Sequence, residues 1–196
     1  MIELMAKSNF YHAILAIEAG DPEVQASSVD KNVKLDRLPQ IVKKLKEHKI
    51  DTKALYMIGF PGETRAQIQK TVDLALNLGI LDFNLSIVTA LPGTPLYDEC
   101  IEKGLFLEGT TADNLNYSKS NIKLGDITVD ELEDIRRSVW KKAFKKRMDQ
   151  NKEKASGSKD KYVWTSVDDY QFHGFKIRPP SRRKLSPEDE LKKQAI

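Results

Sequence analysis

The feature that most constrains the fold is the alternation of two kinds of segment along the first half of the chain. Apolar residues recur at helical spacing from Leu35 and again from Thr64. These stretches are separated by short apolar runs that have the length of buried strands and end at glycine or proline. The strand-like runs cover about residues 12–18, 53–59 and 82–88. Because strands that alternate with helices form parallel βα units joined by right-handed crossovers, the pattern predicts an α/β fold with three parallel βα units.

The pattern changes after residue 104. Residues 105–154 contain a loop-rich passage and then a long helical pattern from Asp130, which together predict a helical extension. Residues 155–196 are rich in charged residues and contain aromatic residues followed by a basic run. This composition predicts a linker and a disordered tail. The expected organisation is a βα part over residues 1–104, a helical extension, and a tail.

Composition excludes several classes of function. The 196-residue chain has 32 Lys and Arg against 29 Asp and Glu, a net charge of +3, which is too mild to indicate binding to nucleic acid or to an anionic membrane. Its one cysteine, Cys100, cannot form an internal disulfide or a multi-cysteine metal site. No apolar run approaches the ~20 residues of a membrane span. We therefore expect a soluble, cytoplasmic protein.

Each predicted strand is followed by an unusual turn. Glu18 ends the first strand, a turn rich in glycine and proline follows the second at residues 59–64, and another follows the third at residues 91–95. Because the carboxyl ends of parallel strands share one edge, the three turns predict a rim that binds a polar, partly flat molecule. A tight strand-to-helix turn with Thr64 as the helix cap is the alternative for any one of them. Glu63 has two interpretations, a favourable charge at the start of the next helix or a role in the site.

The three turns carry a family resemblance. In order and spacing, they resemble the second half of the barrel of radical S-adenosylmethionine enzymes, most closely the branch that often carries a preceding cobalamin-binding domain. The resemblance covers roughly Met1 to Gly104. The residues that carry it are Ile17-Glu18-Ala19-Gly20, Gly59-Phe60-Pro61-Gly62-Glu63-Thr64 and Leu91-Pro92-Gly93-Thr94-Pro95-Leu96-Tyr97.

The resemblance implies a fold and a chemistry. Enzymes of this family have a partial, six-stranded βα barrel, and the three strands of this chain resemble its fourth, fifth and sixth. A CxxxCxxC loop after the first strand of the barrel holds a four-iron four-sulfur cluster. The cluster binds S-adenosylmethionine and cleaves it reductively to a 5′-deoxyadenosyl radical; in the cobalamin branch, methyl transfer through cobalamin is the other implied reaction.

The resemblance also implies the residues that contact the cofactor. Glu18 would reach the ribose or the amino-acid portion of S-adenosylmethionine. Ile58, Gly59 and Phe60 would pack against the adenine through backbone and side chain. The resemblance assigns no catalytic or metal-ligating residue to this chain.

The third turn and the third strand complete the expected site. By the resemblance, Pro92, Gly93 and Thr94 would close the far side of the adenine and the mouth of the substrate site. Asn84 and Ser86 alternate with apolar residues along the third strand. If they face the barrel interior, they would form part of a substrate wall.

Two departures from the family pattern stand out. Family members usually carry serine after the glutamate of the fourth strand, whereas this chain has Ala19. The chain also contains no CxxxCxxC, and Cys100 cannot replace three thiolates. We therefore expect a carboxyl-terminal fragment of such an enzyme, with the cluster supplied by the missing amino-terminal half of the barrel or by a partner chain. The alternative is a non-catalytic βα binding or interaction module that acts through its basic and aromatic tail.

Overall fold

A computed structural model of the protein describes residues 1–31, 33–111, 115 and 119–155. The predicted tail lies outside the described residues, apart from Ala155. Three strands were found, β1 (His12–Glu18), β2 (Asp51–Ile58) and β3 (Asp82–Ile87). Six α-helices were found in the same residues, α1 (Ile2–Lys7), α2 (Pro22–Ser27), α3 (Leu38–Glu47), α4 (Arg65–Asn77), α5 (Pro95–Glu102) and α6 (Val129–Ala155), with a 3₁₀ turn at Leu35–Arg37 before α3.

The three strands form one parallel sheet in the order β1-β2-β3. Ala16 lies beside Leu55, and Leu55 lies beside Asn84. The register shifts near the end of β1, where Glu18 pairs with Tyr56. The predicted α/β fold with three parallel strands is confirmed, and the strand bounds differ from the prediction by at most two residues.

One face of the sheet carries the helices. The side chains of Tyr56, Ile58 and Leu85 are buried on this face against Ile68 of α4 and Leu132 of α6. The rest of this core comes from both strands and helices and includes Ile17, Leu38, Ala54, Val72, Ala75, Phe83, Ile87 and Val139. Since the strands are ordered sequentially, right-handed crossovers place successive helices on the same side, as observed.

The opposite face of the sheet is only partly covered within the described residues. Ile14 is 58% exposed, and Leu55, Met57, Asn84 and Ser86 are half-buried. We call this surface, formed by Ile14, Ala16, Lys53, Leu55, Met57, Asn84 and Ser86, the open face. Its side chains alternate along each strand with those of the helix-covered core.

The two edges of the sheet differ. At the β3 edge, the guanidinium groups of Arg136 and Arg147 on α6 donate hydrogen bonds to the carbonyl oxygens of Leu85 (3.0 Å) and Leu81 (2.9 Å). A helix that covers an edge strand in this way prevents further pairing. In the described residues, β1 pairs only with β2, so its outer edge has no strand beside it.

Several local predictions can be compared with the structure. Thr64 caps α4 in a capping box with Gln67, as predicted for that residue. The short helix α2 was not predicted. The Asp21 carboxylate caps α2 by accepting from the amides of Glu23 (2.9 Å) and Val24 (3.2 Å). No helix in the described part of the chain is both long and apolar enough to cross a membrane.

Candidate functional site

The ends of the three strands converge on one apolar cluster, which we call the tip cluster. The residue after β1, Ala19, is buried there with Phe60 from the turn after β2 and with Val88 and Ala90 after β3. Val24, Cys100 and Ile122 complete the buried part of the cluster. The three turns that the sequence singled out therefore meet at the carboxyl edge of the sheet.

Glu18 occupies a strained position at this edge. Its φ is +68°, in the left-handed region that residues other than glycine rarely adopt. The preceding register shift is consistent with a bulge at the end of β1. Backbone strain of this kind is concentrated at functional sites.

The Glu18 carboxylate is paired with a residue that the sequence analysis did not single out. The Lys31 ammonium lies 2.7 Å from Glu18 Oε1, and 15% of the Glu18 side chain is exposed. Lys31 comes directly after Asp30, whose φ is +50°. The structure thus places one anionic and one cationic group side by side at the carboxyl end of β1. No local sequence signal links Glu18 with Lys31, because they are 13 positions apart in the chain.

The turn after β2 is closed by Glu63. Its Oε2 accepts hydrogen bonds from the amides of Gly59 (2.6 Å) and Phe60 (3.0 Å), and the side chain is buried. Burial raises the pKa of Glu63 to about 7, against the opposing effect of the two amide donors. In the described residues, its other oxygen, Oε1, has no hydrogen-bond partner. Neither sequence interpretation of Glu63 anticipated this role in holding the turn.

The side chains of the predicted adenine-contacting residues are directed into the protein. Ile58 is fully buried in the core under the helices, and Phe60 is buried in the tip cluster. Gly59 has a φ of +89°, and a Cβ there would lie 2.6 Å from Leu132 Cδ2. The nearby backbone is also engaged, since the Ile58 carbonyl oxygen accepts from the Val88 amide (2.9 Å) and the Gly59 amide donates to Glu63.

The turn after β3 is more open. Pro92 and Gly93 are exposed, and Gly93 has a φ of +82°, where an added Cβ would have no atom within 4 Å. The Thr94 hydroxyl donates to the carbonyl oxygen of Leu91 (2.7 Å) and accepts from the amide of Tyr97 (3.3 Å), so it caps α5. Of these three residues, Pro92 and Gly93 present the more accessible surface.

Two buried carboxamides hold the other strand ends. Gln25 Nε2 donates to the carbonyl oxygens of Ile17 and Ala19, the latter at 2.7 Å. The Asn121 carboxamide makes two hydrogen bonds of 3.0 Å with the amide and carbonyl of Ala90. With Glu63, these residues fix the backbone after all three strands. Sequence reasoning missed Gln25 and Asn121 because neither lies in a motif.

Asn84 and Ser86 lie on the open face, as the alternation along β3 indicated.

The described residues contain no group of three or more His, Cys, Asp or Glu side chains placed to hold a metal ion. The thiol of Cys100 is buried in the tip cluster, where burial raises its pKa. The described residues therefore offer an ion pair, backbone groups and a partly apolar wall.

Comparison with known proteins adds a chemical class. The chain is 26% identical over 110 residues to cytidylyl-2-hydroxyethylphosphonate methyltransferase of Streptomyces wedmorensis, covering 53% of this chain and 21% of that protein. It is 25% identical over 148 residues to bacteriochlorophyllide d C-12(1)-methyltransferase of Chlorobaculum tepidum, covering 74% of this chain and 32% of that protein.

A third relative, an uncharacterized methyltransferase of Pyrococcus horikoshii, is 27% identical over 103 residues, covering 53% of this chain and 22% of that protein. The chain thus spans between about a fifth and a third of the length of these relatives. No family model matches the chain. These distant relatives are methyltransferases, and they support an enzymatic family without establishing an activity for this chain.

Proposed function

We propose that this chain is the carboxyl-terminal part of a radical S-adenosylmethionine methyltransferase, where it forms one side of the cofactor site and part of the substrate wall. The observation that carries the proposal is the convergence of three motif-bearing strand ends on one edge of a parallel sheet. The three distant relatives support methyl transfer as the reaction class.

The arrangement of the sheet supports a barrel. Sequential strand order with α3, α4 and α6 on one face is what an arc of a βα barrel has, since barrel helices lie outside and the other face lines the interior. A doubly wound sheet instead has helices on both faces. The open face would then be the inner wall of the barrel.

The donor set at the rim fits S-adenosylmethionine. That cofactor carries an ammonium, a carboxylate and a ribose diol, and its role in methyl transfer is to supply the methyl group. Glu18 can accept hydrogen bonds from an ammonium or a diol, while Lys31 can pair with a carboxylate. The exposed turn at Pro92 and Gly93 can line a flat ring. Binding by these groups would hold the cofactor against the open face.

The described residues do not fit an iron–sulfur cluster. A cluster needs several thiolates, and the buried Cys100 is the chain's one cysteine. The proposal therefore assigns cluster binding, and cobalamin binding if the parent enzyme uses it, to other polypeptide. The role of this chain is to bind and orient.

Substitution of Glu18 tests the cofactor site. We expect Glu18→Gln to weaken binding of S-adenosylmethionine to the full chain by about 10-fold or more, because a charge-assisted hydrogen bond is lost. Lys31→Ala should have a similar effect if Lys31 pairs with the carboxylate. Equilibrium dialysis with labelled cofactor measures both affinities.

The matched control is Glu99→Gln on α5, since the Glu99–Lys103 pair has a similar distance of 2.6 Å but neither residue is assigned a contact with the cofactor. It should leave the affinity unchanged. If wild-type chain binds no cofactor, or if all three variants bind equally well, the proposal fails and the non-catalytic module becomes the better description.

The outer edge of β1 is the proposed contact with the missing half of the barrel. Exposed apolar side chains occur in β1 and in the residues that precede it in the chain, namely Met1, Leu4, Phe10, Tyr11 and Ile14. An unpaired strand edge beside such a surface readily accepts another strand. The β3 edge is already covered by α6. The sheet can therefore be extended on the β1 side.

We expect the chain on its own to self-associate through this edge. Ile14→Lys should shift it toward the monomer in sedimentation velocity, because an inserted charge disfavours edge-to-edge pairing. Ile101→Lys is the control, since Ile101 on α5 is equally exposed (58%) but does not lie on the sheet. A wild-type chain that is monomeric at high concentration would contradict the expectation.

A further inference from the structure

Two polar side chains on the open face have no partner in the described structure. The Asn84 carboxamide and the Ser86 hydroxyl are half-buried, and no other residue in the described part of the chain hydrogen-bonds to either. They are two positions apart on β3, so they lie on the same face, about 6.6 Å apart along the strand. Half-buried groups of this kind are available to a ligand.

Among the described residues, the side chains beside this pair on the neighbouring strand are apolar. Leu55 lies beside Asn84 and Met57 lies beside Ser86 on the neighbouring strand, and Ala16 lies beyond Leu55 on β1. The carboxyl-terminal half of the open face therefore consists of three apolar and two neutral polar side chains.

Among the described residues, the charged side chains nearest to this area lie at the two ends of the sheet face. Lys53, beside Asp82, is at the amino-terminal end of the face, and Asp82 is paired with Arg147 of α6 at 3.3 Å. At the other end, the Glu18 carboxylate is neutralised by Lys31. An ionic group placed over Leu55 and Met57 would lose hydration without gaining a partner of opposite charge, which is costly.

We infer that the part of the substrate that lies on this wall is an uncharged, largely apolar group with one or two neutral hydrogen-bonding atoms. The inference rests on the proposed function and narrows it. The hydrogen-bonding atoms, such as a carbonyl, amide or hydroxyl, contact Asn84 and Ser86, while the apolar part lies over Leu55 and Met57. Asn84 and Ser86 are then specificity-determining residues for the methyl acceptor.

The charge preference of the wall can be measured with thiol reagents that differ only in charge. Ser86→Cys in the full chain is treated with methyl, sulfonatoethyl and trimethylammonioethyl methanethiosulfonate, which are neutral, anionic and cationic. Each rate is divided by the rate of that reagent with 2-mercaptoethanol. We expect the neutral reagent to be favoured at least 10-fold over both charged ones. Wild-type chain gives the background of the buried Cys100.

Ser138→Cys on the exposed side of α6 is the matched control. It lies one turn before Lys141 and Lys142, while Asp134 and Arg137 pair with each other at 3.1 Å, so it should favour the anionic reagent. Equal or greater relative rates for either charged reagent at Ser86→Cys would overturn the inference.

Hydrogen bonding is tested separately with the neutral naphthalene ketone prodan, whose fluorescence reports on its carbonyl. Asn84→Leu should weaken prodan binding about 5- to 10-fold, the effect of losing one hydrogen bond. Unchanged binding would overturn the role of Asn84. Equilibrium dialysis of S-adenosylmethionine with the wild-type chain separates the two proposals. If the wild-type chain binds no cofactor but Ser86→Cys prefers the neutral reagent, the proposed function is refuted. If the wild-type chain binds the cofactor but Ser86→Cys shows no neutral preference, this inference is refuted.

Discussion

Replacing Gly20 with alanine is expected to destabilise the chain by about 3 kcal/mol, the upper part of the range for overpacking a tight contact. A Cβ at this position would lie 2.6 Å from the carbonyl oxygen of Lys70 and 2.7 Å from Thr71 Cα. Both are backbone atoms of α4, so no side-chain rotation can relieve the contact. The Gly20 amide also donates to the Thr71 hydroxyl at 2.8 Å, a hydrogen bond that would lengthen. The loop after β1 would therefore separate from α4.

Gly125→Ala is the control for this substitution. A Cβ at Gly125 would have no atom within 4 Å, so the change should alter the free energy of unfolding by less than about 1 kcal/mol. Urea unfolding followed by circular dichroism at low protein concentration measures both variants. Equal midpoints for Gly20→Ala and Gly125→Ala would show that the loop after β1 is not packed against α4 as described.

The features that sequence predicted are those with a local cause. The strand at residues 82–88 and the helix after Thr64 follow from apolar periodicity and from a capping residue, which act over a few positions. Parallel pairing then follows from the alternation of strands and helices, and the sequential order is the commoner arrangement of consecutive strands. Because these steps need only neighbouring residues, they succeeded without knowledge of the tertiary structure.

The features that sequence missed depend on contacts between distant segments. Asn121 reaches back to Ala90 across 31 positions, and Arg136 reaches Leu85 across 51 positions. Neither residue belongs to a periodic pattern or a turn motif. The pairing of Glu18 with Lys31 likewise depends on the path of residues 19–30, which include α2. Sequence therefore indicated which edge of the sheet carries the site, but not which side chains hold that edge in place.

Glu63 lies between these two classes. It is only three and four residues from the amides that it binds, so the contact is local. Its burial, however, results from the packing of the tip cluster and α4 around the turn. The sequence could indicate that the turn after β2 contains a carboxylate. Where the Glu63 side chain points, and how far its pKa is raised, depend on the folded structure.

The buried carboxyl group of Glu63 is expected to make stability fall as pH rises through neutrality. Its pKa is raised by burial, with a further contribution from Asp21, from 4.5 to about 7 in the folded chain, so the folded state binds the proton more tightly than the unfolded state. The stabilisation is fully present below pH 4.5 and is lost as pH rises to about 7. A shift of this size corresponds to about 3 kcal/mol.

Glu63→Gln should remove this pH dependence, because the amide oxygen can still accept from Gly59 and Phe60 but the side chain does not ionise. We expect the difference in unfolding free energy between wild type and variant to change by about 3 kcal/mol from pH 4.5 to 8, in favour of the variant at high pH. Glu131→Gln is the control, because the exposed Glu131 carboxylate has a pKa lowered by hydrogen bonds from Thr128, and its effect should not vary between pH 6 and 8. If Glu63→Gln follows the wild-type curve across this range, the carboxyl group is ionised throughout and the turn after β2 is not held as described.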